Sequence, residues 1–200
     1  MEKSVEQKKE RTETIELPPL KIAVLKLKLI GDSALICHKW SEKAKKQILD
    51  KQMKKAKQAK EAKDPQKDYE ESLYKQGNDY VFPAITFKLA AVNACSHVDG
   101  VTKVLARGAF HVVGEFVKIN GKPSMREDMV RIGMGVADIR YRGEFKKWSV
   151  EIEVRYNANV MSASQIVNLF NTAGFAIGVG EWSPRKNGLF GMFHVATEGE

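Results

Sequence analysis

Alternating apolar and polar residues mark two strands of the chain. Residues 21–30 place apolar side chains on either side of Lys26 and Lys28, and residues 148–156 alternate without a break. Successive strand residues point to opposite faces of a sheet, so each segment is predicted to bury one face and expose the other. The first strand therefore carries a basic outer face.

Two further segments have the periodicity of buried helices. The first is predicted to begin at Pro83 or Thr86. Its apolar residues recur at helical spacing, at Phe87, Ala90, Ala91, Ala94 and Cys95. The second begins at a capping box formed by Ser162 and Gln165 and is predicted to end at Gly174.

Short strand-like segments account for most of the remaining chain. The predicted strands are residues 110–119, which precede the hairpin signal Asn120-Gly121, and then 128–134, 136–142, 175–181 and 189–196. The predicted order along the chain is one strand, an insertion, a helix, several strands, a second helix and two strands. This order predicts an α+β fold. The economical arrangement is a ferredoxin-like or RRM-like antiparallel sheet with two core helices and a β-rich middle.

A tail and an insertion complete the predicted organisation. Residues 1–17 are polar, charged and aperiodic, which is typical of a disordered tail. Residues 18–200 are then a single domain in which residues 33–79 form an insertion. Its lysine-rich helix, residues 42–63, has only a thin apolar stripe and is predicted to lie on the surface. The simple interpretation of this helix is a solvated face without a ligand.

The charge of the chain favours a polyanionic partner. The net charge is +8 and the pI is near 9.4. Eleven lysines stand against four acidic residues between Lys39 and Lys67, and a second, arginine-rich zone lies between Arg126 and Lys147. Arginine can fork onto phosphate or stack on a base, whereas lysine is a hydrated point charge. The arginine-rich zone is therefore the sharper candidate.

Membrane, secreted and metal-binding classes are not favoured. No apolar run approaches the roughly 18 residues of a membrane span, and the N-terminus lacks the apolar region of a signal peptide. Cys37 and Cys95 are too isolated for a disulfide framework, so both are predicted to be buried in a cytoplasmic protein. The four histidines have no metal-ligand spacing and no nucleotide-binding motif is present, so we predict no metal and no cofactor.

Residues 131–143 are the first candidate for nucleic-acid binding. They interleave arginines with an aromatic residue and glycines, a composition suited to holding phosphates and stacking bases. The predicted contacts are Arg131, Arg140, Tyr141 and Arg142, with Arg140 and Arg142 on the same side of a strand. The alternative is a polar sheet edge in which Asp138 pairs with one arginine.

The glycine-rich segment 178–191 is the second candidate. Its glycines could leave backbone N–H groups open to a phosphate, next to two adjacent cations. The predicted contacts are Gly178, Gly180, Arg185, Lys186, Gly188 and Gly191. The alternative is a glycine-rich β-hairpin with no ligand.

The same segment carries a resemblance to a known family. Its order of Gly-apolar-Gly, a basic stretch and Gly-apolar-aromatic-Gly resembles the C-terminal glycine-rich loop of the RAMP superfamily, the RNA-binding, ferredoxin-fold proteins of CRISPR systems. Residues 80–91 resemble the entry of those proteins into their first helix, although Ala84 and Ala90 stand where glycines are common. The resemblance implies RNA binding, is closest to the backbone subunits that polymerise along guide RNA, and extends to small phage-encoded chains. We add Lys26, Lys28 and Lys88 to the predicted nucleic-acid contacts.

The resemblance also implies two catalytic candidates. Some RAMP relatives cut RNA with a histidine, and certain backbone subunits use a loop aspartate for metal-assisted cleavage, which makes His38 and Asp32 the residues to consider. A structural role explains His38 better, and a turn explains Asp32 at least as well, so binding is favoured over catalysis.

Three functions therefore stand as hypotheses. In the favoured one, the protein coats single-stranded nucleic acid, RNA or DNA, by side-by-side oligomerisation, through sequence-tolerant phosphate and stacking contacts. The alternatives are a RAMP-type endoribonuclease, and a phage structural protein or inhibitor that imitates a CRISPR subunit.

Overall fold

Ten strands and five α-helices form the part of the chain that the computed structural model describes, which is residues 16–55, 62–133, 135–197 and 199. In chain order they are β1 (Ile22–Gly31), β2 (Leu35–Cys37), α1 (Glu42–Gln52), α2 (Pro65–Ser72), β3 (Lys75–Gln76), β4 (Asp79–Pro83), α3 (Ala84–Ala94), α4 (Lys103–Ala109), β5 (Phe110–Val112), β6 (Phe116–Asn120), β7 (Pro123–Ile132), β8 (Val136–Phe145), β9 (Ser149–Asn157), α5 (Ala163–Ala176) and β10 (Phe193–Val195). None of these helices is long and apolar enough to cross a membrane.

The larger sheet has the strand order β10-β1-β9-β6-β4-β3, and its neighbouring strands are antiparallel. β5 and β6 lie one after the other along the same edge of β9, so they act as one strand interrupted at residues 113–115. α3 lies in the connection from β1 to this interrupted strand, and α5 connects β9 to β10. The central strands therefore have the ferredoxin-like order, and the predicted α+β fold with two core helices is confirmed.

The register between β1 and β9 separates a buried face from an exposed face. Leu27 pairs with Ile152 and Leu29 with Val150, and all four side chains are buried in the core. α3 and α5 pack against each other and contribute to the same core. The largest fully enclosed side chains are Phe87, Phe110, Phe145, Phe170 and Phe193. Burial of each such ring contributes roughly 1.5–3 kcal/mol to stability.

β7 and β8 form a long hairpin that belongs to a second sheet, of order β2-β8-β7. Each strand has ten residues, a length of about 33 Å at the usual rise of a strand. The base of the hairpin is braced by the insertion, because β2 pairs with β8 and Leu73 packs over Gly143. A Cβ on Gly143 would lie 2.2 Å from Leu73 Cδ2, and the backbone N–H of Gly143 donates to Ser72 Oγ at 2.7 Å.

The predicted insertion contains one surface helix and one packed helix. Ser41 caps α1, whose Ile48 and Leu49 stay 45% and 53% exposed, as its thin apolar stripe predicted. The helix predicted over residues 42–63 ends at Gln52, and the carboxylate of Asp64 caps the N-terminus of α2. Residues 56–61 of the predicted helix, and residues 1–15 of the predicted tail, lie outside the described residues.

The C-terminal predictions need correction. The capping box of Ser162 and Gln165 is present, but α5 continues past Gly174 to Ala176. Gly174 does not end the helix; it gives room to the carbonyl oxygen of Phe193, which would lie 1.6 Å from a Cβ at this position. Two strands were predicted, at residues 175–181 and 189–196. The structure has one strand in these ranges, the three-residue β10. Residues 177–192 form an irregular loop, because its N–H groups bond to separate parts of the chain instead of a sheet ladder.

Both cysteines are unpaired and buried, as predicted. Burial in an apolar environment raises the pKa of Cys37 to about 12, so its thiolate does not form at neutral pH. Cys37 therefore acts as a small hydrophobic residue of the core.

Candidate nucleic-acid interface

The predicted contact Arg142 is not available to a ligand. Its side chain is 5% exposed, and Nη1 donates to Asp128 Oδ2 at 3.2 Å. The register places Arg126 directly opposite Arg142, and acidic residues compensate the two like charges: Arg126 donates to Asp128 at 2.7 Å and to Glu144 at 2.8 Å. The prediction of Arg142 as an open contact is corrected, because its side chain is buried and its partner, Asp128, lies on the neighbouring strand.

The other three predicted contacts of the hairpin are more open. Arg140 is half-buried, with its Nε 3.7 Å from Asp138 Oδ2, so the alternative of an Asp138–arginine pair is the arrangement found. Lys63 also contacts the Asp138 carboxylate. Tyr141 lies on the opposite face, where a hydrogen bond to Glu127 raises the pKa of its hydroxyl. Arg131 lies near the tip of the hairpin and is exposed.

The glycines of the C-terminal loop admit neighbouring parts of the protein. A Cβ on Gly188 would lie 1.8 Å from the carbonyl oxygen of Trp182, and one on Gly191 would lie 1.8 Å from that of Val179. The corresponding distance for Gly180 is 2.6 Å, to the carbonyl oxygen of Ile36 in β2, and for Gly178 2.7 Å, to Pro184 Cδ. At these four glycines, neighbouring parts of the protein approach the backbone too closely to leave room for a side chain.

Hydrogen bonding in this loop leads to the same conclusion. The N–H of Gly191 donates to Ala34 at 2.8 Å, that of Gly188 to Ser183 at 3.1 Å, and that of Gly178 to Ala173 at 2.8 Å. A phosphate needs N–H groups without another acceptor. The predicted phosphate site on Gly178, Gly188 and Gly191 is therefore replaced by a structural role, and the role of Gly180 is likewise to admit β2.

Two cations of the loop differ in their surroundings. Arg185 is exposed and has no ion pair among the described residues, whereas Lys186 Nζ lies 3.0 Å from Glu181 Oε2. His38 Nδ1 lies 3.4 Å from the other oxygen of Glu181. These hydrogen bonds, that of His38 foremost, lower the pKa of the half-buried Glu181 to about 2. Glu181 therefore stays ionised and offsets much of the charge of Lys186.

The two catalytic candidates each have a separate partner. His38 contacts Glu181, and Asp32 Oδ1 lies 2.5 Å from Nδ1 of His194. Sequence reasoning did not connect Asp32 with His194, since 162 residues separate them. Among the described residues no group of three histidine, cysteine, aspartate or glutamate side chains is placed to hold a metal ion.

Lys26 and Lys28 lie on the exposed outer face of β1, as predicted, opposite Glu153 and Glu151 of β9. Lys88 is engaged elsewhere: its Nζ lies 2.9 Å from His111 Nδ1 and donates to the carbonyl oxygen of Arg107 at 3.1 Å. Partial burial lowers the pKa of Lys88. It joins α3 to α4 and β5, so its prediction as an open contact is corrected.

The outer face of the larger sheet also presents cations that sequence reasoning did not select. Arg155 in β9 and Lys118 in β6 point outward and are exposed, and Lys118 pairs with Asp79 at 2.7 Å. The alternation of β9 was the signal that could have found Arg155, because it assigns Arg155 to the polar face. The exposed residues of this face show that no described helix covers it: Ile22, Val24, Lys26, Lys28, His111, Lys118, Asn120, Glu151 and Arg155.

The chain matches no model of a known protein family, and a search of the curated proteins also gives no match.

Proposed function

We propose that the protein binds single-stranded nucleic acid, RNA in the first place, and coats the strand by side-by-side association of copies in the cytoplasm. The observation that carries this proposal is the uncovered outer face of the ferredoxin-like sheet, where basic side chains from three strands are exposed together. They are Lys26 and Lys28 of β1, Lys118 of β6 and Arg155 of β9.

An open antiparallel sheet suits a single strand for a physical reason. Its side chains stand at fixed positions, so phosphates meet charges that are already ordered and little side-chain entropy is lost on binding. Tyr141 and Arg131 lie on the hairpin of the second sheet, on the face that also carries Met129 and Ile139, so they are not part of this surface. The ferredoxin-like order agrees with what the resemblance to the RAMP superfamily implies, and membership of that superfamily is part of the proposal.

Acidic neighbours set the expected strength of binding. Glu151 and Glu153 face Lys28 and Lys26 across the strands, which reduces the local potential. Binding on this face is therefore expected to be moderate, tolerant of sequence and steeply dependent on salt, because most contacts reach phosphate.

Side-by-side association has support in exposed apolar side chains. On one face of the hairpin Met129 is 69% exposed, Met125 50% and Ile139 43%. Single exposed apolar residues are ordinary, but three on one side of a projecting hairpin suit a protein contact. We assign this face to the neighbouring copy.

The experiment is the recovery of nucleic acid with the purified protein, followed by anisotropy titrations. The ratio of absorbance at 260 and 280 nm, with RNase and DNase treatment, identifies what is bound. Labelled single-stranded RNA and DNA are then titrated at several salt concentrations. We expect the affinity to fall steeply with salt; no binding at low salt, or an affinity that does not change with salt, would reject the proposal.

A second candidate function rests on the contact between Asp32 and His194. A carboxylate that orients an imidazole is an arrangement used in general acid–base catalysis, and RNA cleavage through the ribose 2′-hydroxyl needs such a base. Incubation of labelled RNA with excess chelator tests it. Cleavage that disappears in His194→Ala would support an endoribonuclease, and intact RNA in both proteins would reject it.

A further inference from the structure

A wide, shallow cleft of about 650 Å³ lies at the root of the hairpin, where the hairpin joins the larger sheet. Four lysines line it: Lys28 from β1, Lys122 from the connection into β7, and Lys146 and Lys147 from the connection out of β8. We call these four residues and the space between them the lysine cleft. Its lysines come from three separate segments of the sequence.

Strand pairing explains why these segments meet. Ser149 of β9 pairs with Ile30 of β1 on one side and with Asn120 of β6 on the other, so three strands lie side by side at the floor of the cleft. The two connections of the hairpin then cross close together. Gly121 makes this possible, because a Cβ there would lie 2.6 Å from the carbonyl oxygen of Lys147.

The charge of the lysine cleft differs from that of the other basic regions. No aspartate or glutamate lines it. Lys122, Lys146 and Lys147 are exposed, and none of them has an ion pair among the described residues. The lining therefore carries positive charge without an acidic counterpart, which favours a polyanion as the ligand.

The cleft offers charge without a stacking surface. Its one aromatic lining residue, Trp148, is 3% exposed, and its indole N–H donates to the carbonyl oxygen of Ser33 at 2.8 Å. The ring also packs edge-on against Phe193, with centroids 6.3 Å apart. Trp148 therefore belongs to the core, and a base has no ring to stack on here.

We propose that the lysine cleft binds a run of consecutive phosphates, the backbone of a single-stranded nucleic acid, without contacts to the bases. The inference rests on the proposed function and names the place where the strand is anchored. Lys28 also borders a second shallow depression, which contains Lys26 and runs along β1. Glu151 and Glu153 line that depression as well, so the lysine cleft, and not the depression, is the proposed anchor of the strand.

Phosphates in series occur both in nucleic acids and in inorganic polyphosphate, so the experiment includes both. The probes are a fluorescein-labelled 20-mer RNA, an abasic phosphodiester oligomer of the same length, and unlabelled polyphosphate as competitor. The variant is Lys122→Ala with Lys146→Ala and Lys147→Ala. The matched control is Lys46→Ala with Lys51→Ala and Lys67→Ala, which removes the same charge from exposed positions of α1 and α2.

We expect the cleft variant to lose about tenfold or more in RNA affinity at low salt, and the slope of log K against log salt to fall by about 2, since each contact on a single strand contributes roughly 0.7. The control should change affinity less than about threefold, because its lysines do not converge. The abasic oligomer should bind as well as RNA to within about threefold, because no base is contacted. Circular dichroism and thermal unfolding establish that both variants are folded.

The outcomes separate the two proposals. Equal affinities of the cleft variant and the control, with tight wild-type binding, overturn the lysine cleft and leave the proposed function standing. A loss of more than about tenfold with the abasic oligomer overturns recognition by backbone alone. If wild-type protein binds neither RNA nor DNA, the proposed function is rejected. In that case, polyphosphate that binds the wild type but not the cleft variant supports the cleft as a polyphosphate site. If the wild type does not bind polyphosphate either, the lysine cleft is overturned as well.

Discussion

The glycine loop, residues 177–192, and the lysine cleft both combine cations with closely packed glycine, but their cations have different neighbours. Each brings cations close to a glycine that admits another backbone, Gly191 against Val179 in the loop and Gly121 against Lys147 in the cleft. In the loop, Glu181 forms an ion pair with Lys186, and backbone N–H groups donate to carbonyl groups of the protein itself. In the cleft no acidic side chain is present among the lining residues. From this comparison we expect a polyanion to bind where folding leaves a local excess of positive charge, and not simply where a segment contains many cations.

The largest expected effect concerns the architecture of the loop. Gly191→Ala places a Cβ 1.8 Å from a carbonyl oxygen at a φ of +66°, so we expect the free energy of unfolding to fall by about 4 kcal/mol or more. Gly133→Ala is the matched control, because Gly133 has a φ of +57° and nothing within 4 Å of an added Cβ. Gly133→Ala should lower the free energy of unfolding only through its unfavourable backbone conformation, by about 1–2 kcal/mol. Urea unfolding measures the stability of both variants. A stable Gly191→Ala protein that no longer binds RNA would show that the loop takes part in binding.

The next effect concerns the floor of the cleft. Gly121→Ala must displace the carbonyl of Lys147, and we expect a loss of about 1–3 kcal/mol in stability together with about a threefold loss in RNA affinity. Gly108→Ala, in α4 with open space around it, should leave affinity unchanged and stability equal or slightly higher. Thermal unfolding and anisotropy on the same samples test this pair. Unchanged affinity in folded Gly121→Ala would show that binding does not depend on the geometry of the cleft.

The pH dependence of stability should reveal the acid that neutralises the loop. The pKa of Glu181 is about 2 in the folded protein and 4.5 ordinarily, so the unfolded chain binds the proton first as the pH falls. Its contribution is complete above about pH 4.5 and is lost between pH 4.5 and 2; for a half-exposed carboxylate it is about 1–2 kcal/mol. Denaturant titrations at pH 6 and pH 3 should therefore show a smaller pH dependence in Glu181→Gln than in wild type. Parallel curves for the two proteins would contradict the ion pairing.

The smallest expected effect is on the loop cations. Replacing Arg185 and Lys186 by alanine should change stability by less than about 0.5 kcal/mol, because both are surface residues and the pair with Glu181 is solvent-screened. RNA affinity should fall by less than about twofold if the strand is anchored in the lysine cleft. A tenfold loss in this well-folded double variant would return the loop to the binding surface.

Local patterns predicted those parts of the fold that local interactions determine. The alternation of residues 148–156 and the capping box at Ser162 depend on neighbours in the sequence, and both are found. The loop could not be predicted in the same way. Its glycines and apolar residues have the composition of a strand, but its conformation depends on hydrogen bonds to Ala34 and Ile36, more than 140 residues earlier.

The candidate site shows the same limit. The outward position of Lys26 and Lys28 follows from alternation alone. The burial of Arg142 follows from the register of the hairpin, which brings Asp128 to it from the other strand. The convergence of Lys122 with Lys146 and Lys147 likewise requires knowing that Asn120 of β6 pairs with Ser149 of β9, which brings both connections of the hairpin together.

The pairing of β1 with β9 also has a consequence during synthesis. β1 ends at Gly31 and its partner begins at Ser149, so the ribosome adds more than a hundred residues before this pair can form. At about 5–20 residues per second, β1 remains without its partner for roughly 6–24 seconds. An unpaired apolar strand invites intermolecular pairing, and charges within it oppose that. Lys26 and Lys28 interrupt its apolar residues, so we expect them to oppose aggregation of the nascent chain.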